Sequence, residues 1–290
     1  MENRQHTFSL MNNMQHFLEV SEACSKFTTE RYSTSFSSAI RLLHKDIRQP
    51  IFNIYGFVRF ADEIVDTFHG FDKSSLLTEF KKETYDAIER KISLNPILHS
   101  FQSTVNKYNI DHALIEAFLH SMELDLSEKK YDRAGYDEYI YGSAEVVGLM
   151  CLFVFCDGDK ALYETLKPGA RSLGAAFQKV NFLRDLKADF EGLERVYFPG
   201  CDFRNFTEND KQNIEIDIQK DFDDAYAAIL NLPVKSKFGV YVAYKYYLSL
   251  FKKIKQLEAQ RIMQERIRIP DYGKMFIVAK AGLRSQLNIL

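Results

Sequence analysis

The sequence predicts an all-α protein built as a single domain. Three observations carry that reading. Apolar residues recur at helical spacing along most of the chain, and no stretch alternates in the manner of a strand. Only 6 prolines and 13 glycines punctuate 290 residues, and most stand where a helix would begin or end. Aromatic residues make up 14% of the chain, with 24 Phe and 16 Tyr, enough rings to fill a core and still line a cavity.

The spacing predicts helices over 12–30, 34–44, 50–68, 75–92, 96–108, 112–128, 136–155, 159–166 and 169–188. A loop at about 190–206 holds Gly192, Pro199 and Gly200, and helices over 208–231, 235–265 and 271–287 follow. Pro50, Pro96 and Pro168 each suit the first turn of a helix. His69 to Asp72 reads as a turn, with Ser74 or Ser75 capping the next helix, and Asp111 caps the run that ends near Ser127. No repeat or linker marks a boundary, so residues 1–290 are expected to form one domain, with its core at about 30–285.

Hydrophobic residues at 46% and charged residues at 27% describe a globular protein with a sizeable core. The charge, 38 − 40 = −2, gives no basic excess for nucleic acid or a strongly anionic membrane. The cysteines, Cys24, Cys151, Cys156 and Cys201, have neither zinc-site nor dense-disulfide spacing, so reduced thiols in a cytoplasmic protein are expected. The polar start, Met1 to Gln5, does not read as a signal peptide. The apolar run Val146–Phe155 is too short to span a bilayer, so any membrane contact is expected to be peripheral, at the inner face. The histidines His44, His69, His99, His112 and His120 have no catalytic partner spacing.

Two helices carry acidic stripes. Within Ile54–Asp66 a broad apolar surface predicts a buried helix, yet Tyr55, Arg59, Asp62 and Asp66 share a stripe roughly 60° wide. Carboxylates one turn apart repel, and burying them is costly unless a cation compensates. The plainer alternative is a solvated face with Arg59 pairing Asp62 or Asp66. The second stripe, Gln178, Asn181, Asp185 and Asp189, is roughly 80° wide, with Arg184 to one side. Its hard oxygen donors suit Mg²⁺ or Mn²⁺ and not zinc. A di-iron bundle is the competitor, but the Glu-x-x-His it needs does not occur. Facing each other across a cavity, the stripes would hold metal ions bridging a polyanion such as diphosphate.

Asp62-Glu-Ile-Val-Asp66, preceded by Tyr55 and Arg59, resembles the first motif of the squalene/phytoene synthase family. Gln178-Lys-Val-Asn-Phe-Leu-Arg-Asp-Leu-Lys-Ala-Asp189, followed by Arg195-Val-Tyr-Phe-Pro199, resembles its second. Tyr32-Ser-Thr-Ser-Phe36 resembles the N-terminal substrate flap, Tyr139–Leu149 the mid-chain pocket helix, and Arg266-Ile-Arg-Ile-Pro270 with Lys274 the C-terminal segment of bacterial phytoene synthases. Two departures stand out. Thr34 occupies a flap position where relatives often have Lys or Arg, and Glu145 one where a small residue is common.

The resemblance implies an isoprenoid synthase fold, with helices around a central apolar cavity. It implies a magnesium-dependent prenyltransferase joining two prenyl diphosphates head to head through a cyclopropyl diphosphate. Asp62, Asp66, Asn181, Asp185 and Asp189 are then the metal ligands. Tyr32, Ser33, Thr34, Ser35, Phe36, Tyr55, Arg59, Gln178, Arg184, Arg195, Tyr197 and Tyr247 bind substrate, with Arg59 and Arg184 on phosphate oxygens. Ser33, Thr34 and Ser35 also stand near a helix start, which favours anions. Tyr141 and Arg184 join the aspartates as catalytic candidates, and Phe36, Tyr55, Tyr141 and Tyr247 offer rings to a carbocation. Tyr241, Tyr244, Tyr246 and Tyr247 cluster as for a long apolar tunnel, whereas Lys252, Lys253 and Lys255 read as a solvated face. Without the resemblance, Tyr141 and Tyr247 read as core tyrosines and Arg195 as a surface partner of Glu191 or Glu194. The expected reaction is phytoene synthesis from geranylgeranyl diphosphate, with no NADPH. A squalene or dehydrosqualene synthase using farnesyl diphosphate is the alternative, and a non-catalytic scaffold protein the third reading.

Overall fold

A computed structural model describes residues 2–127, 131–192, 197–201, 205–264, 267, 277–278 and 281–282, without the side chains of 2–12 and 188–192. Among the described residues the regular structure is all helical. The elements are α1 (Glu2–Tyr32), α2 (Thr34–Arg41), α3 (Lys45–Asp66), α4 (Lys73–Arg90), α5 (Pro96–Tyr108), α6 (His112–Ser127) and α7 (Arg133–Ile140). A π-turn (Tyr141–Glu145) joins α7 to α8 (Val146–Cys156), followed by α9 (Lys160–Gly192), α10 (Glu208–Leu230), α11 (Val234–Lys255) and α12 (Ala259–Ile262).

Caps explain several starts. Asn95 Oδ1 accepts from the backbone of Ile97 and Leu98 ahead of α5, and Asp72 Oδ1 from Ser75 ahead of α4. Thr207 and Asp210 form a reciprocal capping box at the start of α10. Ser33 caps α2 by accepting from the backbone N–H of Phe36 at 3.2 Å.

Two proline expectations fail. The helix expected to open at Pro50 begins at Lys45, capped by His44, and Pro50 lies inside it. The break expected at Lys167-Pro168 does not occur, because α9 runs unbroken from Lys160. A proline interior to a helix forfeits one hydrogen bond and costs about 3 kcal/mol. Here α9 recovers that by packing. Lys179, only 7% exposed, bonds Asp217 at 2.6 Å and Asp221 at 2.7 Å on α10, and α8 and the π-turn cover another side. The helix expected over 235–265 divides after Lys255, and the one over 271–287 lies almost wholly outside the described residues.

Small residues bring the central helices together. A Cβ on Gly174 would lie 2.7 Å from the Ala144 carbonyl oxygen, and one on Gly148 would lie 2.9 Å from that of Ala170. The run Arg133–Cys156 is long and apolar enough to cross a membrane, which the Val146–Phe155 stretch alone is not. In the fold, α8 is instead wrapped by α3, α6 and α9, and Val146, Leu149, Met150 and Val154 are fully buried. All four cysteines are unbonded.

Candidate active site

A cavity of about 540 Å³ runs between α2, α3, α8, α9 and α11. Its two ends differ in chemistry. One is polar, lined by Arg59, Asp62 and Asp66 of α3 and by Gln178, Asn181, Arg184 and Asp185 of α9. The other is apolar, with Leu43, Leu152, Leu166, Ile229 and Leu232 in its wall. The two acidic stripes therefore face one chamber.

At the polar end, Arg59 makes a short ion pair with Glu63 and stays 3.9 Å from Asp62. Its guanidinium carbon lies 4.4 Å from the centroid of the Tyr32 ring. Opposite, Arg184 grips Asp185 through Nε, at 3.1 Å to both carboxylate oxygens, and through a terminal nitrogen at 2.5 Å. Burial alone would lower the Arg184 pKa, but the bonds to Asp185 outweigh it and raise it. Asn181 hydrogen-bonds Tyr247, yet its Oδ1 is buried with no partner in the structure.

Aromatic rings flank these groups. Phe36 and Tyr55 have ring centroids 5.3 Å apart, and Phe177 stacks on Tyr247 at 3.9 Å. Burial pushes the Tyr55 phenol up to about 12, against the opposing effect of its hydrogen bond with Ser33, and raises that of Tyr247 against the pull of Arg184. Tyr197 stacks on Phe182 at 3.9 Å and lies 5.3 Å from the ring of Tyr139.

Tyr32, Ser33, Phe36, Tyr55, Gln178, Tyr197 and Tyr247 line the cavity. Thr34 and Ser35 do not, and Thr34 is exposed. Ser33 meets the cavity through a side chain already engaged as the cap of α2. Asp189's side chain, Arg195 and the Arg266–Pro270 segment with Lys274 lie outside the described residues. Glu145 does not enter the cavity, because it turns to Arg171 at 2.5 Å.

Tyr141 is the main correction. It is absent from the cavity wall, and the Arg171 guanidinium sits 5.2 Å from its ring. Tyr139 lines the cavity instead, donating its hydroxyl to Asp125 Oδ2 at 2.8 Å. In a regular helix Tyr141 and Gly148, seven residues apart, would share a face. The wider π-turn slips that register, so residues before it present a different side from the one a uniform helix predicts. Burial, then the neighbouring Asp125, holds the Tyr139 phenol well above its ordinary pKa. Asp125 is the residue sequence reasoning missed, since it lies in no motif and reaches the chamber only through the packing of α6.

The chain matches the squalene/phytoene synthase family over residues 29–215 and belongs to that family. A phytoene synthase from Arthrospira platensis is 26% identical over 294 residues, covering 92% of this chain and 93% of that one. A presqualene diphosphate synthase from Rhodopseudomonas palustris is 27% identical over 172 residues, covering 57% and 58%. The crystal structure of a dehydrosqualene synthase superposes with a TM-score of 0.82 at 18% identity, covering 95% of this chain and 99% of that one. A squalene synthase structure from Alicyclobacillus acidocaldarius superposes with a TM-score of 0.72, also at 18% identity, covering 82% and 94%. The all-α isoprenoid synthase fold is thereby shown, and the family is one of head-to-head prenyl synthases.

Proposed function

We propose that this chain is a single-domain, cytoplasmic phytoene synthase that joins two geranylgeranyl diphosphates in carotenoid synthesis. The observation that carries the reading is the two-ended cavity, with its facing acidic helices at one end and a long apolar body behind them. The relative from Arthrospira platensis, similar over nearly its full length, supports the choice of product.

The polar end fits magnesium-bound diphosphate. Its donors are all oxygen, and the buried, unpartnered Asn181 Oδ1 is a ligand in waiting. Among the described residues no three His, Cys, Asp or Glu side chains form a ready metal cage. Mg²⁺ is held by carboxylates together with substrate phosphates, so the set is expected to be completed by the diphosphate. Asp62 and Asp66 on one wall and Asn181 and Asp185 on the other would hold the metal, with Asp189 of the same motif as a further ligand and Mn²⁺ as a substitute. When bound, the metal neutralises diphosphate charge and makes it a competent leaving group.

The chain's own residues do the rest. Arg59 and Arg184 add charge-assisted hydrogen bonds to phosphate oxygens. Departure of one diphosphate leaves an allylic cation at C1. The double bond of the second substrate attacks it, and loss of a proton gives a cyclopropyl diphosphate. That species loses its diphosphate, rearranges and sheds a second proton, so the sequence balances without NADPH. The faces of Phe36, Tyr55, Phe177 and Tyr247 stabilise positive charge, and the apolar walls exclude water. Tyr139 keeps its proton and offers Asp125 and the cavity a fixed phenol.

The test is to supply purified protein and Mg²⁺ with farnesyl or geranylgeranyl diphosphate, with and without NADPH, and to weigh the hydrocarbon. A forty-carbon product without NADPH is expected. A thirty-carbon product would move the function to dehydrosqualene or squalene synthesis, the reading the presqualene diphosphate synthase relative favours. No product from either substrate would point to a scaffold role.

A further inference from the structure

We propose that Arg171 is a positioning residue for the reaction. By bridging both ends of the π-turn through Tyr141 and Glu145, it keeps the wide coil that turns Tyr139 into the cavity. The proposal rests on reading the chamber as a head-to-head prenyl synthase site. It goes beyond that reading, because neither Arg171 nor Glu145 lines the cavity.

The π-turn sets the rotation of α7. The Val146 N–H donates to the Tyr141 carbonyl, five residues back, so the coil holds one residue more than an α-turn does. A return to ordinary α spacing would rotate α7 against α8 by one residue, about 100°. That rotation would withdraw the Tyr139 hydroxyl from Asp125 Oδ2, which it reaches at 2.8 Å, and from the chamber. Packing locates the turn on two sides. A Cβ on Gly142 would lie 2.6 Å from the Ala117 carbonyl oxygen on α6, and one on Gly174 would lie 3.0 Å from the Glu145 Cα. Neither contact is a directional bond.

Arg171 of α9 supplies one. Its Nε donates to Glu145 Oε2 at 2.5 Å, and its guanidinium carbon lies 5.2 Å from the Tyr141 ring centroid. Tyr141 opens the turn and Glu145 closes it, so one side chain grips both ends. The Glu145 side chain is only 14% exposed and lies near an acidic group. Asp221 is pushed up by burial first and, among smaller causes, by Glu145, while Lys179 is shared between Asp217 and Asp221. Without Arg171, Glu145 would keep a largely buried charge that nothing offsets, and such a charge is costly. The turn can relieve it only by moving outward. Arg171 itself is half exposed, so the bridge adds little to global stability, and its effect falls on the local winding of the turn.

The test compares the native protein, Arg171→Gln and the double variant Arg171→Gln with Glu145→Gln. Competent sites are counted by titration with geranylgeranyl thiodiphosphate and Mg²⁺, so that kcat refers to folded protein. In Arg171→Gln, kcat is expected to fall about tenfold with KM within about twofold, because the diphosphate end is untouched. Adding Glu145→Gln removes the unpaired charge and is expected to recover kcat at least about threefold. Hydrogen exchange of the amides of 142–146, relative to α4, is expected to rise at least about tenfold in Arg171→Gln. Unchanged kcat, a KM that rises in step with its fall, or unchanged exchange would each overturn the clamp. A native protein that turns over neither farnesyl nor geranylgeranyl diphosphate would overturn the synthase reading instead, and the exchange measurement would then decide whether Arg171 holds the turn.

Discussion

Asp62 and Asp185 stand on opposite walls of the polar chamber, each in a different local setting. Asp62 lies 3.9 Å from Arg59, which also pairs with Glu63. Asp185 is held in position by Arg184. Asp62→Ala or Asp185→Ala is expected to lower turnover at least ~10²-fold, the scale of losing one fixed electrostatic contact. Circular dichroism should show the helices intact, and retained activity in either variant would remove the metal clamp. The cavity phenols make a second prediction. Tyr55, Tyr139 and Tyr247 all have raised pKa values, so each stays protonated at ordinary pH and ionises only above the usual tyrosine range. The pH profile of kcat/KM should therefore show no tyrosine limb between about 7 and 10. A limb there that vanishes in Tyr139→Phe would contradict the burial argument.

At the scale of elements, the position of α9 decides whether the second motif faces the chamber. Lys179, on the opposite side of α9 from Asn181, fixes that rotation through Asp217 and Asp221. One ammonium serves two carboxylates. Burial would lower the Lys179 pKa but both carboxylates raise it, whereas Asp221 is pushed up by burial beyond what its share of the cation restores. Lys179→Met leaves two acids facing each other and is expected to destabilise the fold by about 3–5 kcal/mol, read by denaturant melting. Adding Asp221→Leu should recover part of that loss, and no recovery would argue against the pairing. On the neighbouring seam, Gly174→Ala would drive a Cβ into backbone atoms of Ala144 and Glu145. Overpacking of this kind costs about 1–3 kcal/mol, and an unchanged melting temperature would show that the π-turn yields.

For the whole molecule, the helical class and the two acidic stripes were legible because both are local, periodic signals. Tyr55, Arg59, Asp62 and Asp66 share a face by spacing alone, and so do Gln178, Asn181 and Asp185. What was not legible depends on contacts between helices. Pro168 reads as a helix start unless α10 is known to hold α9 together across it. Tyr141 reads as the cavity tyrosine unless the π-turn is known, and Asp125 becomes visible only when α6 is packed against the π-turn. The joining of the two stripes into one chamber is likewise a property of the whole fold. Its most direct test is calorimetric binding of geranylgeranyl thiodiphosphate to the native protein, Asp62→Ala and Asp185→Ala, with and without Mg²⁺. Tight binding that requires both Mg²⁺ and each aspartate is the expected result. Equal binding without the metal, or in either variant, would contradict the account.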